Sequence, residues 1–134
     1  MTLPAPVPPV HPETKPFWDA TAEGRLLLPR CAACPAVIWY PRGICPECAS
    51  TEIEWFEASG RGVIYSRTIN RRGLGRYKDA GAYVLAYVEL EEGPRVMTNI
   101  VDCDPETISI GDAVEATFHE TGEGPALVRF RPAS

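Results

Sequence analysis

This 134-residue sequence is poor in the residues that most catalytic sites require. It contains only two histidines, His11 and His119. A nucleophilic side chain needs a base within hydrogen-bond reach and a further group that orients the base. His11 lies in a proline-rich N-terminal segment, and His119 ends a predicted strand beside Glu120. We therefore predict that the chain holds no catalytic residue of its own.

Long apolar runs and nucleotide-binding signatures are also missing. No stretch approaches the ~20 apolar residues that a membrane-spanning helix needs, and residues 1–10 lack the basic start and apolar core of a secretory signal. The segment from Gly73 to Gly75 lacks the Gly-Lys-Ser/Thr ending of a phosphate loop. We expect a soluble, cytoplasmic protein without membrane contact.

Acidic and basic residues are segregated along the chain, whose formal net charge is −5. Residues 61–78 contain six basic residues and no acid, whereas residues 89–123 contain ten acids and one arginine. An acidic chain is a poor general nucleic-acid binder. The basic strip is either a loop that holds phosphates or a partner, or a solvated loop without a ligand. Its candidate contact residues are Arg67, Arg71, Arg72, Arg76 and Lys78.

Four of the five cysteines form two Cys-x-x-Cys pairs, Cys31 with Cys34 and Cys45 with Cys48. This spacing lets two tight turns aim four sulfurs at one ion. Tetrahedral thiolate ligands select zinc, with iron as the main competitor. Because protein atoms would fill every ligand position, we predict a structural metal. Disulfides are the alternative, but they need an oxidising compartment, and Cys103 is expected to be a small buried strand residue.

The chain divides into three predicted segments: an arm and helix over 1–25, a zinc ribbon over 26–56 and a barrel over 57–134. We predict the helix from about Pro12 to Glu23, and a hairpin between the cysteine pairs that uses residues 37–40. Phe17 and Trp18 are adjacent in the sequence, so the two side chains cannot both lie on one narrow apolar stripe of the predicted helix. Either one of them meets a partner, or both pack on this chain.

Short β-rich segments fill the remainder of the sequence. They are predicted strands at 62–69, 83–90, 96–101, 114–118 and 127–130. The first connection is long and basic, and a helical turn from Pro105 to Ile108 follows the third strand. We therefore predict a mainly β protein: a short helix, a rubredoxin-like zinc ribbon and a five-stranded oligonucleotide/oligosaccharide-binding (OB) barrel.

Several of these motifs together resemble the domain-of-unknown-function-35 (DUF35) family, whose members carry a rubredoxin-like ribbon before an OB barrel. The resemblance covers about residues 17–132. The residues that carry it are Phe17-Trp18, Gly24 to Leu26, the two cysteine pairs, Pro41-Arg42, Gly60 to Ser66, Gly93 to Arg95, Thr98 to Val101, Ile110 to Asp112 and Arg129 to Pro132. Pro35 and Ala49 depart from it, because the family often has glycine after each cysteine pair.

The resemblance implies an accessory subunit of an acyl-CoA-processing complex. Its partner would be a thiolase-fold enzyme or a MaoC-type enoyl-CoA hydratase. The thiolase-fold enzyme would be a sterol-carrier-protein-type thiolase or a related aldolase, including those of steroid side-chain degradation. The basic strip would then hold CoA phosphates or acidic groups of the partner at a shared interface. Two alternatives stay open. The barrel could bind single-stranded nucleic acid, stacking bases on Tyr65, Tyr83 and Tyr87, or an iron site could make the chain an electron carrier.

Overall fold

The structure is a computed structural model that describes residues 3–133. Within this range, one helix precedes seven strands, and two one-turn 3₁₀ helices lie in the loops. The elements are α1 Lys15–Thr21, β1 Leu27–Cys31, β2 Ile53–Glu57, β3 Arg61–Asn70, a 3₁₀ turn Gly75–Tyr77, β4 Tyr83–Leu90, β5 Arg95–Ile100, a 3₁₀ turn Pro105–Thr107, β6 Ala113–Glu120 and β7 Ala126–Pro132. Within residues 3–133, no helix has the length and apolarity to cross a membrane.

A two-stranded sheet carries the cysteine pairs. Strand β1 pairs antiparallel with β2, from Leu27 opposite Glu57 to Cys31 opposite Ile53. The predicted return strand at residues 37–40 is wrong, because it is reduced to one isolated bridge between Arg30 and Val37. The β-rich segment 53–57, which follows the second cysteine pair, takes its place beside β1. The sheet of the ribbon is therefore formed by the strand that leads into the first cysteine pair and the strand that follows the second pair. No strand between the two pairs takes part in it.

The remaining five strands form a closed barrel in the order β3-β4-β5-β7-β6. All predicted barrel strands are present, and the helical turn after β5 is confirmed at Pro105–Thr107. Strand β4 alternates, with Val84, Ala86 and Val88 buried and Leu85 and Tyr87 exposed. This period of two lets one face fill the barrel while the other faces outward. The predicted OB architecture is confirmed.

The short helix packs on the ribbon and on strand β7, and its aromatic pair is internal. Phe17 is 2% exposed and Trp18 is 9% exposed, and both belong to the main apolar core. Their rings meet edge to face with centroids 4.8 Å apart. Of the two readings of this pair, packing on the chain itself is the one observed. The side-chain area that Phe17 and Trp18 offer to another protein is correspondingly small.

The N-terminal segment over residues 3–10 forms no helix or strand, and it contacts the barrel. Leu3 is 8% exposed, and the carbonyl oxygen of Pro4 accepts a hydrogen bond from Arg129 at 2.6 Å. Thr14 occupies the N-cap position of α1, but its hydroxyl bonds to the backbone of His11 instead of capping a helical N–H group. The arm is therefore joined to the helix and to the barrel by specific contacts.

We expect Thr21→Val to lower the free energy of unfolding by about 1–3 kcal/mol, because a buried N–H group loses its acceptor. The Thr21 hydroxyl donates to the Trp18 carbonyl at 2.6 Å and accepts from the Ala126 N–H at 3.0 Å, which joins α1 to β7. Chemical denaturation checks this value, with exposed Thr51→Val as the matched control. Equal stabilities of the two variants would contradict the role of Thr21.

Candidate metal centre and interaction face

The structure brings the four predicted cysteines together. All four Sγ atoms lie within 4.8 Å of one another, and the Cys31–Cys48 and Cys34–Cys45 sulfurs are each 3.6 Å apart. Four thiolates about 2.3 Å from a central zinc ion would be about 3.8 Å from each other. The sulfur cage therefore fits a tetrahedral ion, and none of the four cysteines is in a disulfide. The donor set leaves no ligand position for a substrate.

Each cysteine pair sits on a turn whose backbone points toward the sulfurs. The Ala33 N–H lies 3.3 Å from Cys31 Sγ, and the Glu47 N–H lies 3.4 Å from Cys45 Sγ. N–H donors stabilise the thiolate form that metals require. Ala49, where the resembled family often has glycine, adopts a φ of 63°. An L-residue in this left-handed region costs roughly 1–2 kcal/mol.

Local hydrogen bonds favour the charged form of Cys31. Burial is the largest single influence and acts to raise its pKa. Hydrogen bonds from the backbone N–H groups of Ala33 and Cys34, together with those from the Cys48 and Cys34 side chains, outweigh burial and lower the pKa to about 7. Cys103 is different: it is half-buried in the loop after β5 rather than in the predicted strand. Burial, with the charges of Asp102 and Asp104, raises its pKa, so Cys103 stays a thiol.

One outer face of the barrel exposes a cluster of large apolar side chains. We call it the apolar face, and its members are Val63, Tyr65, Leu85, Tyr87 and Met97, which are 37–59% exposed. They lie on the neighbouring strands β3, β4 and β5, and Tyr87 stands directly opposite Met97. The Arg95 guanidinium lies 3.8 Å from the centroid of the Tyr65 ring. Contiguous exposed apolar surface of this kind marks an interaction site.

The predicted basic contact residues are all exposed, but they are not all free. Arg67 lies in β3 beside the apolar face and lines a shallow groove there with Leu85, Tyr87 and Met97. Arg71 forms an ion pair with Glu106 at 2.8 Å. The other three, Arg72, Arg76 and Lys78, follow in the loop between β3 and β4. The structure thus places one member of the strip, Arg67, next to the apolar face.

A buried polar cluster escaped the sequence analysis. Arg129 is 2% exposed and donates to Pro4 O at 2.6 Å, to the Tyr77 hydroxyl at 3.2 Å and to His119 Nδ1 at 2.9 Å. Because guanidinium groups only donate, His119 Nδ1 accepts, and its proton sits on Nε2. One sign of this cluster was present in the sequence, namely an arginine within the otherwise apolar residues 126–130. The neighbours that surround it come from distant parts of the chain.

We expect His119 to titrate below the ordinary value of 6.5, because burial and then the charge of Arg129 lower its pKa. The unfolded state consequently binds more protons between the two pKa values, so stability falls as the pH drops through that window. NMR titration of the imidazole signals checks the pKa, with His11→Gln to assign them. Replacing Arg129 by Met should raise the His119 pKa. A pKa at or above 6.5 in the unmodified chain would contradict this arrangement.

Comparison with known families agrees with both halves of the structure. Residues 18–54 match the model of the ChsH2 rubredoxin-like zinc ribbon domain, and residues 55–119 match that of the ChsH2 C-terminal OB-fold domain. A DUF35 domain-containing scaffold protein of Methanothermobacter thermautotrophicus is 44% identical over 95 residues, which cover 70% of this chain and 71% of that protein. This chain belongs to the DUF35 family.

Two further similarities connect this DUF35 protein with named enzymes. The chain of a solved structure described as the Ltp2-ChsH2(DUF35) aldolase superposes with a TM-score of 0.84 and 34% identity, covering 96% of this chain and 100% of that one. The 3-oxo-4,17-pregnadiene-20-carboxyl-CoA hydratase alpha subunit of Mycobacterium tuberculosis is 32% identical over 111 residues. These cover 76% of this DUF35 protein but only 32% of that subunit.

Proposed function

We propose that this DUF35 protein is a non-catalytic accessory subunit of an acyl-CoA-processing complex, and that it docks on a thiolase-fold enzyme or a MaoC-type enoyl-CoA hydratase. The observation that carries the proposal is the apolar face. Five large apolar side chains stand exposed on adjacent strands of an otherwise well-packed barrel. A surface of this kind gains stability when a second protein covers it.

The composition of the apolar face suits a protein partner. Tyrosine, methionine and arginine are enriched at protein interfaces, and the face combines Tyr65, Tyr87 and Met97 with Arg67 and Arg95 at its margin. The cation–π pair between Arg95 and Tyr65 holds both side chains in place before binding. A preorganised aromatic group loses less conformational entropy on association, and this favours affinity.

The names of the relatives support the class of partner. A scaffold protein, an aldolase complex and the alpha subunit of a CoA-thioester hydratase each contain a similar chain. We infer from them a partner that acts on CoA thioesters. The hydratase name further supports thioesters of a steroid side chain as the substrate class. The exposed basic residues Arg67, Arg71, Arg72, Arg76 and Lys78 are proposed to contact CoA phosphates or acidic groups of the partner at the shared interface.

The metal that we propose for the four-cysteine site is zinc, and its role is structural. A zinc ribbon without redox chemistry suits a chain that positions another protein. Iron in the same sulfur cage would instead support electron transfer, which was an alternative for this sequence. Iron would make the purified protein red, whereas zinc would leave it colourless. Elemental analysis of the freshly purified chain decides between the two metals.

Affinity purification of the tagged chain from its native host, followed by mass spectrometry, tests the proposal. We expect a thiolase-fold or MaoC-type subunit in a fixed ratio, and a change in its thioester turnover when this chain is added back. The isolated chain should turn over no thioester. Turnover by the chain alone would contradict the non-catalytic role. Salt-sensitive binding of single-stranded oligonucleotides without any protein partner would favour the nucleic-acid alternative.

A further inference from the structure

The barrel is not fully closed between β5 and β7. Strand β5 pairs with β4 at all six of its residues, from 95 to 100. It pairs with β7 at one position, Ile100 opposite Phe130, and the Val101 N–H donates to the Phe130 carbonyl there at 2.7 Å. Within residues 3–133, no strand pairs with residues 95–97 on their β7 side. We call these three residues the open edge of β5.

A cavity of about 260 Å³ lies between the two strands beside the open edge. Its lining includes residues 96–99 of β5 and residues 127–130 of β7. Side chains of a strand alternate between its two faces, so a space bordered by four consecutive residues of each strand runs along their main chains. The cavity therefore separates the facing main-chain edges of β5 and β7.

The register of the β4–β5 hairpin shows which main-chain groups of the open edge face this cavity. The Leu90 N–H donates to the Pro94 carbonyl at 2.9 Å. In an antiparallel ladder such bonded pairs recur at every second residue, so the even-numbered residues of β5 bond to β4. The odd-numbered residues, including Arg95 and Met97, turn their N–H and C=O groups toward β7. Val101 has the same parity, and its N–H does donate to β7.

Other contacts replace the missing ladder on the β7 side. The Ala126 N–H donates to the Thr21 hydroxyl of α1 at 3.0 Å, so it is not available to β5. Further along the seam, the Thr98 hydroxyl donates to the Val128 carbonyl at 3.0 Å. These bonds hold β7 in place while the main chain of the open edge faces the cavity. Unpaired N–H and C=O groups at a strand edge are a template for pairing with another extended chain.

The surroundings of the open edge favour one source for that extended chain. The N-terminal arm is already held elsewhere, because Leu3 is buried and the Pro4 carbonyl accepts from Arg129 at 2.6 Å. Its four prolines also lack the N–H groups that a ladder uses. The open edge adjoins the apolar face through Met97, whose side chain is 59% exposed on that face. This continuity favours the partner enzyme over a second copy of the chain.

We propose that the open edge of β5 binds an extended segment of the partner enzyme, which adds to the barrel as a short β-strand. The inference rests on the accessory role proposed above and names the element through which the partner docks. The N–H and C=O groups of Arg95 and Met97 bond to the main chain of the segment. Its side chains alternate: one set enters the cavity beside Trp39 and Tyr40, which requires apolar residues, and the other set extends the apolar face.

Hydrogen exchange of single amides in the full chain, alone and bound to the co-purifying subunit, tests the strand addition. We expect the Met97 amide to exchange at least about tenfold more slowly in the complex, because it gains an acceptor there. The amides of Val96 and Thr98 are the internal controls. Both are bonded to β4 in the free chain, so their exchange should be slow in both states.

A matched pair of variants at Met97 tests the same bond through affinity. Met97→Ala and Met97→Pro both remove the side chain from the apolar face, but only proline also removes the N–H group. The ladder with β4 does not use this N–H, and proline is tolerated at strand edges of this kind. We expect Met97→Pro to weaken the complex about tenfold more than Met97→Ala does. Thermal unfolding verifies that both variants are folded, and the exchange measurement stands without them.

The outcomes separate strand addition from the accessory role. If the complex forms but the Met97 amide exchanges as fast as in the free chain, or if the two folded variants bind equally, the partner docks on side chains alone and strand addition is wrong. If the Met97 amide becomes protected as the concentration of the chain alone is raised, a second copy occupies the edge and the proposed source is wrong. If no partner binds at all, both proposals fail.

Discussion

Removal of the metal from the four-cysteine site is expected to unfold the ribbon. The cluster around it is small: Cys31, Ile38 and Cys45 are buried, with only Cys34, Ala36 and Ile53 packed against them. The burial of so few apolar side chains cannot offset the conformational entropy that is lost when the two cysteine-bearing turns become ordered. Metal binding in ribbons of this type supplies on the order of 10 kcal/mol or more, which is comparable with the whole stability of a domain, about 5–15 kcal/mol.

The measurement combines metal analysis with NMR of the ribbon. A strong chelator, or the substitution Cys45→Ser, should remove the ion and collapse the dispersed signals of β1 and β2. Cys103→Ser is the matched control, because Cys103 lies in the loop after β5 and outside the sulfur cage. If the chain stays fully folded after it has lost all bound metal, the metal does not have the structural role proposed for it.

Tyr87→Asp is expected to weaken the complex with the partner at least about a hundredfold, because truncated or charged hot-spot residues commonly cost 2–4 kcal/mol of binding energy. Tyr87 is 45% exposed at the centre of the apolar face, with Met97 opposite it and Leu85 two residues before it. A carboxylate there would have to lose its water against the partner's apolar surface. The fold should change little, since the side chain already points to solvent.

Ile110→Asp provides the control for this experiment. Ile110 is 66% exposed and apolar, but it lies before β6, outside the apolar face. Isothermal calorimetry or surface plasmon resonance with the co-purifying subunit gives both affinities, and thermal unfolding verifies that the two variants stay folded. If Ile110→Asp weakens the complex as much as Tyr87→Asp does, the docking surface lies elsewhere.

Much of the barrel was predictable because its strands are dense in β-branched and aromatic residues. The segment 83–90 became β4 with the predicted bounds, and the helical turn at Pro105 lies where Pro and Asp favour a tight turn. In the ribbon, a hairpin between the cysteine pairs was predicted, but β1 pairs with β2 instead. Local β-propensity of residues 37–40 could not reveal that a longer-range pairing replaces their strand.

The helix and its aromatic pair are a second case in which the local sequence did not predict the tertiary contacts. The sequence left open whether Phe17 or Trp18 meets a partner, because burial depends on what packs over a helix and not on its own residues. In the structure the ribbon supplies Trp39 and Tyr40 next to Phe17, with ring centroids 5.5 Å and 6.3 Å away. These contacts, together with the barrel, bury the pair.

The cysteine spacing by itself predicted that the four sulfurs would come together, since two short turns with thiolates at fixed offsets can converge on one tetrahedral site. Five short β-rich segments, a long first connection and a helical turn after the third strand likewise predicted the barrel. Only the tertiary structure decided which outward-facing residues remain uncovered, namely those of the apolar face, and which arginine lies buried without a counter-charge. Both depend on contacts between segments far apart in the chain, such as Arg129 with Pro4, and no local pattern encodes those contacts.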